Sequence, residues 1–186
     1  MTQKPSWMVV LDEVESVMSS LDMEAASQLI DAIVDSPNVF VSGEGRSGLV
    51  ARSLAMRLMH MGVAAHVMGE TICPSISDGD LLVACSGSGT TPITCLRAEQ
   101  AKSKRAVTVC AVTGRPESRL ARGADIVVTL PGTGKTADGV SERSVQLSGS
   151  LFEQCLFILF DGLVLDLMRR LGKTRQDMTR RHANVE

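Results

Sequence analysis

The chain has no tyrosine, one tryptophan and four phenylalanines, so aromatic residues fill only 3% of its 186 positions. That scarcity argues against a surface that stacks nucleobases, and nucleic acid is not an expected partner. An excess of one charge is missing too. With 19 Lys and Arg against 21 Asp and Glu, the formal net charge is -2, and a phosphate would have to be held by local dipoles and one or two cations rather than by a basic face. No apolar run approaches a bilayer span and no charged-then-apolar leader opens the chain, so no membrane is expected. The five cysteines, Cys73, Cys85, Cys95, Cys110 and Cys155, are odd in number and form no C-x-x-C pair. They read as small buried hydrophobes in a reducing cytoplasm. What remains is ordinary globular material, 44% hydrophobic and 22% charged, long enough for one domain to bury a core without metal or disulfides.

The most informative stretch runs from Leu81 to Thr91. An apolar run of buried-strand length stops in Ser86-Gly87-Ser88-Gly89-Thr90-Thr91, and Pro92 then suits the first turn of a helix. Glycines let backbone approach a ligand, a helix N-terminus offers unpaired N–H groups, and the hydroxyls of Ser86, Ser88, Thr90 and Thr91 add short donors. Such a loop suits a phosphate; a Ser/Gly-rich turn with a Thr N-cap is the plain alternative.

Two amphipathic helices come first, on Met8, Leu11, Val14, Val17, Met18 and Leu21, then, after Asp22 as N-cap, on Ala25, Ala26, Leu29, Ile30 and Ile33. Val39-Phe40-Val41 is the first strand. It runs into Gly43-Glu44-Gly45-Arg46-Ser47-Gly48 and a helix through Leu54, Leu58 and Met61. This is a G-x-G-x-x-G in the strand-to-helix context of a dinucleotide fingerprint. Arg46 is notable because a cation in a first helical turn opposes the helix dipole, which makes sense if an anion sits between. Further strands are expected over 64–68, 81–86, 106–112 and 125–130, with helices from Pro92 to about Lys104 and around Leu120. Glu70, ending the second strand in Gly69-Glu70-Thr71, is placed to hold sugar hydroxyls. Five β/α alternations with near-continuous apolar strands specify an α/β fold: a doubly wound five-stranded parallel sheet with helices on both faces, its ligands beyond the carboxyl ends of the strands.

The stretch Gly132 to Leu147 is polar and unpatterned. Its Gly132-Thr133-Gly134-Lys135-Thr136 imitates the end of a P-loop, but Thr129 stands where the leading glycine belongs, so it reads as a decoy in a flexible loop. Gly149-Ser150-Leu151-Phe152-Glu153-Gln154 then enters a long apolar helix. Ser150-x-x-Glu153 has the form of a capping box, so Glu153 either satisfies a backbone N–H or reaches across the strand ends as a general base. The charged tail closes on Arg180-Arg181-His182-Ala183-Asn184, where a histidine is solvated unless a neighbouring subunit receives it.

Taken together, Gly45-Arg46-Ser47-Gly48, Met56-Arg57-Leu58-Met59-His60, Gly69-Glu70-Thr71, Ser86-Gly87-Ser88-Gly89-Thr90-Thr91, Gly149 to Gln154 and Arg181-His182-Ala183-Asn184 resemble the 6-phospho-3-hexuloisomerases. These are a branch of the sugar isomerase (SIS) domain family, and the likeness covers all but Gly132 to Val145. The resemblance implies a flavodoxin-like SIS architecture over residues 1–186. The N-terminal helical pair would occupy 1–36, the β/α core 38–131, the loop 132–147 and the C-terminal helices 148–186. It also implies an isomerase of the ribulose monophosphate route of formaldehyde fixation, acting on a small phosphosugar without metal, nucleotide or other cofactor. The enzyme would be a homotetramer with sites near subunit interfaces. D-arabino-3-hexulose 6-phosphate would become fructose 6-phosphate. The phosphate site would fall on Ser86, Gly87, Ser88 and Thr91 with Gly45 and Ser47 close by, the basic position on Arg46, and the catalytic glutamate and histidine on Glu153 and His182.

Moving a carbonyl from C3 to C2 requires one base to take the C2 proton and return a proton to C3 through a 2,3-enediolate, while donors hold the developing oxyanion. Glu153 and Arg46 suit those roles. His182 could protonate an enediolate oxygen or open a sugar ring in reverse. Two other readings stand beside this one: a SIS module that binds a phosphosugar without turning it over, and a dinucleotide enzyme resting on Gly43 to Gly48.

Overall fold

Residues 4–131 and 144–185 are described by a computed structural model. Its strands are β1 (Val39–Gly43), β2 (Ala65–Val67), β3 (Leu81–Ser86), β4 (Thr108–Thr113) and β5 (Ile126–Thr129), all parallel in the order β2-β1-β3-β4-β5. Parallel neighbours need helical crossovers. These are α3 (Gly45–Met61) between β1 and β2, α4 (Pro92–Lys102) between β3 and β4, and α5 (Arg119–Arg122) before β5. Strand order reverses between β1 and β3, and the chain leaves both strands there through glycine-rich turns. In register, Val41 faces Val67 and Val83, and Gly43 faces Cys85.

Strands buried on both faces explain why their sequences are apolar without alternation. One face carries Val39, Val41, Leu81, Val83, Cys85 and Val112 under α1 (Ser6–Met18), α2 (Met23–Asp35), α3 and α6 (Ser150–Arg170). The other carries Phe40, Leu82, Ala84, Val109 and Ala111 under α4 and α5. Four of the five thiols are buried, and Cys73 is half-buried. Burial pushes the Cys85 thiol up to about 12 and Cys155 up to about 11, so both behave as apolar side chains.

The expected elements are all present, with shifts at their ends. Asp22 caps α2, accepting from the N–H groups of Glu24 and Ala25. The fifth strand, expected over 125–130, runs over Ile126–Thr129, and the Asp125 carboxylate accepts from Val109 N–H at its entry. Within the expected C-terminal helical region, Thr174 and Asp177 form a reciprocal capping box that starts α7 (Arg175–Arg180) in the charged tail, and α7 packs on α3. Glu13 of α1 accepts from Ser144 Oγ, Val145 N–H and Gln146 Nε2, fixing the chain on its return to α6. Burial works to raise the Glu13 carboxyl, but these hydrogen bonds outweigh it and hold the group below its ordinary value. The P-loop-like Gly132 to Thr136 lies outside the described residues. Among the described residues no helix is long and apolar enough to cross a membrane.

Candidate functional site

The β1–α3 turn is built by close backbone approach. A Cβ on Gly48 would sit 2.5 Å from the Gly43 carbonyl oxygen, so only glycine lets the first turn of α3 fold back against the end of β1. Gly45 adopts a left-handed φ of 59° and starts the helix, leaving Arg46 and Ser47 in its first turn, with Ser47 buried. Gly48 is the first residue to close a helical bond, from its N–H to Glu44 O, so the amides before it point out of the helix end.

The β3–α4 loop is knit by its own hydroxyls. Ser86 Oγ and Thr91 Oγ1 lie 2.8 Å apart, Gly89 N–H donates to Ser86 Oγ, and Ser88 Oγ accepts from both the amide and the hydroxyl of Thr90. Thr91 is the N-cap of α4, yet its side chain makes no cap bond. The hydroxyl turns back to Ser86 instead, so Thr91 holds the expected N-cap position without capping through its side chain. Gly89, at a φ of 63°, lets the loop pass against Ser118 and Thr113.

The third segment is the start of α6, and here the expected capping box is not formed. Gly149, at a φ of 91°, is the N-cap; no side-chain cap bond is made, and Ser150 is already helical. Both members of the presumed box face Arg46. Arg46 Nε lies 3.0 Å from Glu153 Oε2, and its Nη1 donates to Ser150 Oγ at 3.3 Å. A free guanidinium pairs a carboxylate and a hydroxyl more strongly than a distorted N-cap pairs an amide, and the left-handed glycine has removed the geometry that the box needs. Phe152, one residue before Glu153, puts its ring against Gly87, where a Cβ would lie 3.0 Å from the ring. So the β1 turn, the β3 loop and the α6 start meet: Arg46 reaches Glu153, and the residue beside Glu153 packs on the Ser-Gly loop.

The Glu153 side chain is 15% exposed and that of Arg46 59%. An ion pair so open on one side is worth about 0–1 kcal/mol, which makes it easy to exchange for ligand contacts. Beside the pair runs a groove of about 450 Å³ between α3 and α6, walled by Leu49, Val50, Gln154, Phe157 and Ile158. Ser86, Ser88 and Thr91 lie outside that lining.

Two expected residues stand elsewhere. Glu70 is ion-paired with Arg52 of α3 and lines neither this groove nor the Ser-Gly loop. His182 stacks on His60, ring centroids 5.1 Å apart, at the far end of α3. At a rise of ~1.5 Å per residue, about 20 Å of helix separates His60 from Arg46, so within one chain His182 does not reach Glu153. Missed by sequence reasoning is Arg97 of α4, which donates to Ser42 and Glu44 at the end of β1. Nothing in Cys95-Leu96-Arg97-Ala98 marks it out, since a lone arginine on a helix reads as a solvated surface residue.

The description "SIS domain" matches residues 32–156. A protein of Bacillus subtilis (strain 168) called 3-hexulose-6-phosphate isomerase is 41% identical over 177 residues, which cover 95% of each chain. A protein of Mycobacterium gastri with the same name is 45% identical over 178 residues, 96% of this chain and 88% of that one. Among solved structures, a Methanococcus jannaschii protein, for which a molecular function of 3-hexulose-6-phosphate isomerase has been inferred, superposes with a TM-score of 0.82. It shares 28% identity over 97% of this chain and 99% of that one.

Proposed function

This chain belongs to the SIS domain family, and from that premise we propose that it is a phosphosugar isomerase interconverting 3-hexulose 6-phosphate and fructose 6-phosphate. The observation that carries the proposal is the meeting of Arg46 and Glu153 beside the Ser-Gly-Thr loop. A grip for a dianion and a carboxylate with a cation at its side are the two things this isomerisation needs.

The phosphate binds at the Ser86–Thr91 loop, where the Ser88 hydroxyl, the Gly87 amide and the N-terminus of α4 receive it while Ser86 and Thr91 hold the loop in shape, with Gly45 and Ser47 on the opposite side. Ser88 Oγ already accepts two hydrogen bonds, so its own proton is available to the ligand. Held at this end, the sugar lays C2 and C3 toward α6, and phosphate binding energy far from the reacting carbons orients them. Arg46 leaves Glu153 for the substrate oxygens, which frees the carboxylate. Glu153 takes the proton from C2, leaving the 2,3-enediolate with its charge on O3. The O2 proton passes to O3, the protonated Glu153 gives its proton to C3, and the carbonyl stands at C2 with the carboxylate restored. Arg46 and the loop amides stabilise the oxyanion in between. No electrons enter or leave, and no nucleotide or metal is called for.

A homotetramer with sites near subunit interfaces completes the proposal. The α3–α6 face exposes Leu49 at 66%, Phe157 at 45% and Leu165 at 61%, an apolar seam that favours burial against another copy. A two-fold contact along it turns the His182 end of one chain toward the Glu153 end of the next. The five free thiols suit a reducing cytoplasm.

The direct test supplies the protein with 3-hexulose 6-phosphate and follows fructose 6-phosphate by coupled detection. Product formation in proportion to protein supports an isomerase. Saturable phosphosugar binding without product makes the chain a binding module instead.

A further inference from the structure

Arg97 leaves the second turn of α4 with its side chain only 19% exposed, and it does not touch the Glu153 groove. Its Nη1 donates to the buried Ser42 hydroxyl at 3.3 Å and to Glu44 Oε1 at 2.9 Å. Ser42 and Glu44 are alternate residues at the end of β1, so they present to the same face of the sheet, the one that α4 covers. Nη2 reaches the turn after β2, where a Cβ on Gly69 would sit 2.4 Å away, so glycine there makes room for the guanidinium.

The residue after Glu44 shows why such a clamp matters. Gly45 is left-handed, and nothing lies within 4 Å of the place where its Cβ would be. The turn that delivers Arg46 and Ser47 is therefore open at its Gly45 apex, and its position is set by its flanks together with the buried Ser47 and the Arg46 contacts to α6. Gly48 fixes one flank against Gly43. On the other, Glu44 is the N-cap of α3 but makes no side-chain cap bond, because its carboxylate is turned to Arg97.

We propose that Arg97 is a positioning residue that ties the turn carrying Arg46 and Ser47 to α4, the helix that opens from the Ser86–Thr91 loop, and so sets the spacing of the two turns that grip the substrate. This rests on the isomerase reading above. Nη1 meets Ser42 and Glu44 while the rest of the planar guanidinium lies against the Gly69 turn, and a lysine ammonium, a single nitrogen with no such plate, does not reproduce both contacts.

The test compares the wild type with Arg97→Lys, Arg97→Met, Glu44→Gln and the Arg97→Met/Glu44→Gln double variant. Loss of the fork misplaces Arg46, so both Arg97 variants lose about ten-fold or more in kcat, with a smaller change in KM for the phosphosugar. Glu44→Gln loses less. The double variant is no worse than Arg97→Met alone, since the two residues act through one contact. In amide hydrogen exchange, the amides of residues 48–51, which bond the carbonyls of the turn, exchange faster in Arg97→Lys while β3 is unchanged. The tether is overturned by a wild-type kcat in Arg97→Lys, by losses that multiply in the double variant, by a double variant more active than Arg97→Met, or by unaltered exchange at 48–51. A wild type that forms no product defeats the isomerase reading instead, and exchange at 48–51 still judges the tether.

Discussion

Ser86 and Ser88 show how a small side chain can have two duties. Ser86 Oγ orders the loop by receiving Gly89 N–H and meeting Thr91, while Ser88 is the outward donor. Replacing both by alanine is therefore expected to raise KM for the phosphosugar by one to two orders of magnitude, since the one lost hydrogen bond from Ser88 to a charged group is worth about 1.5–3 kcal/mol. Steady-state kinetics checks this; an unchanged KM would move the phosphate elsewhere. At this scale the sequence was legible where chemistry restricts the residue type. Arg46 stood out as a cation against a helix dipole, and its partner proved to be Glu153. The capping-box reading of Ser150 and Glu153 failed because the pattern is local, while the arginine that claims both side chains comes from a turn 104 residues earlier in the chain. Arg97 was invisible for the same reason: its role depends on strand ends distant in sequence.

Among the elements, the β1–α3 unit bears the tightest constraint. A methyl group on Gly48 would meet the Gly43 carbonyl at 2.5 Å, and backbone cannot yield as a flexible side chain can. Gly48→Ala is expected to cost about 1–3 kcal/mol by forcing the helix off the strand. Gly45→Ala meets open space and pays only for the left-handed conformation, about 1–2 kcal/mol. Urea midpoints at constant slope measure both, and only Gly48→Ala is expected to lower kcat as well, because it moves Arg46. Equal kcat in the two variants would contradict this account of the turn. The elements themselves could be read from pattern, since buried parallel strands have a distinctive apolar run and Asp22 is a cap by residue type. Their ends could not. β5 stops at Thr129, one residue short of the expected end, and the start of α7 at Arg175 was unmarked within the charged tail.

For the molecule as a whole, the two ends of α3 matter differently. Burial holds the His60 imidazole below its ordinary value of 6.5, reinforced by charge repulsion from His182 and Arg57. An unfolded chain then binds the proton more readily than the folded one, so stability is full above about pH 6.5 and declines as pH falls below it. Thermal unfolding from pH 8 to pH 5 is expected to show this decline, and His60→Gln should flatten it; an equal slope in the variant would remove His60 as its source. At the other end, the reading that His182 serves a neighbour's Glu153 predicts complementation. Two inactive variants, Glu153→Gln and His182→Ala, when dissociated and reassociated together, should regain about a quarter of wild-type turnover, because half the mixed pairs' sites are intact. No recovery would confine each site to one chain. The parallel sheet and its crevice followed from the β/α alternation, but the placing of His182 at the opposite end of α3 from Arg46 did not, since periodicity says nothing of which end of a helix a tail returns to.

The whole account turns on Glu153 as the group that moves the proton. The most direct measurement is the turnover of 3-hexulose 6-phosphate by Glu153→Gln beside the wild type, with phosphosugar affinity measured on the same samples. The account predicts a loss of about a hundred-fold or more in kcat with affinity retained, because the amide keeps the size and an acceptor but cannot take the C2 proton. Undiminished turnover in the variant would contradict it and leave Glu153 only as the anchor of Arg46.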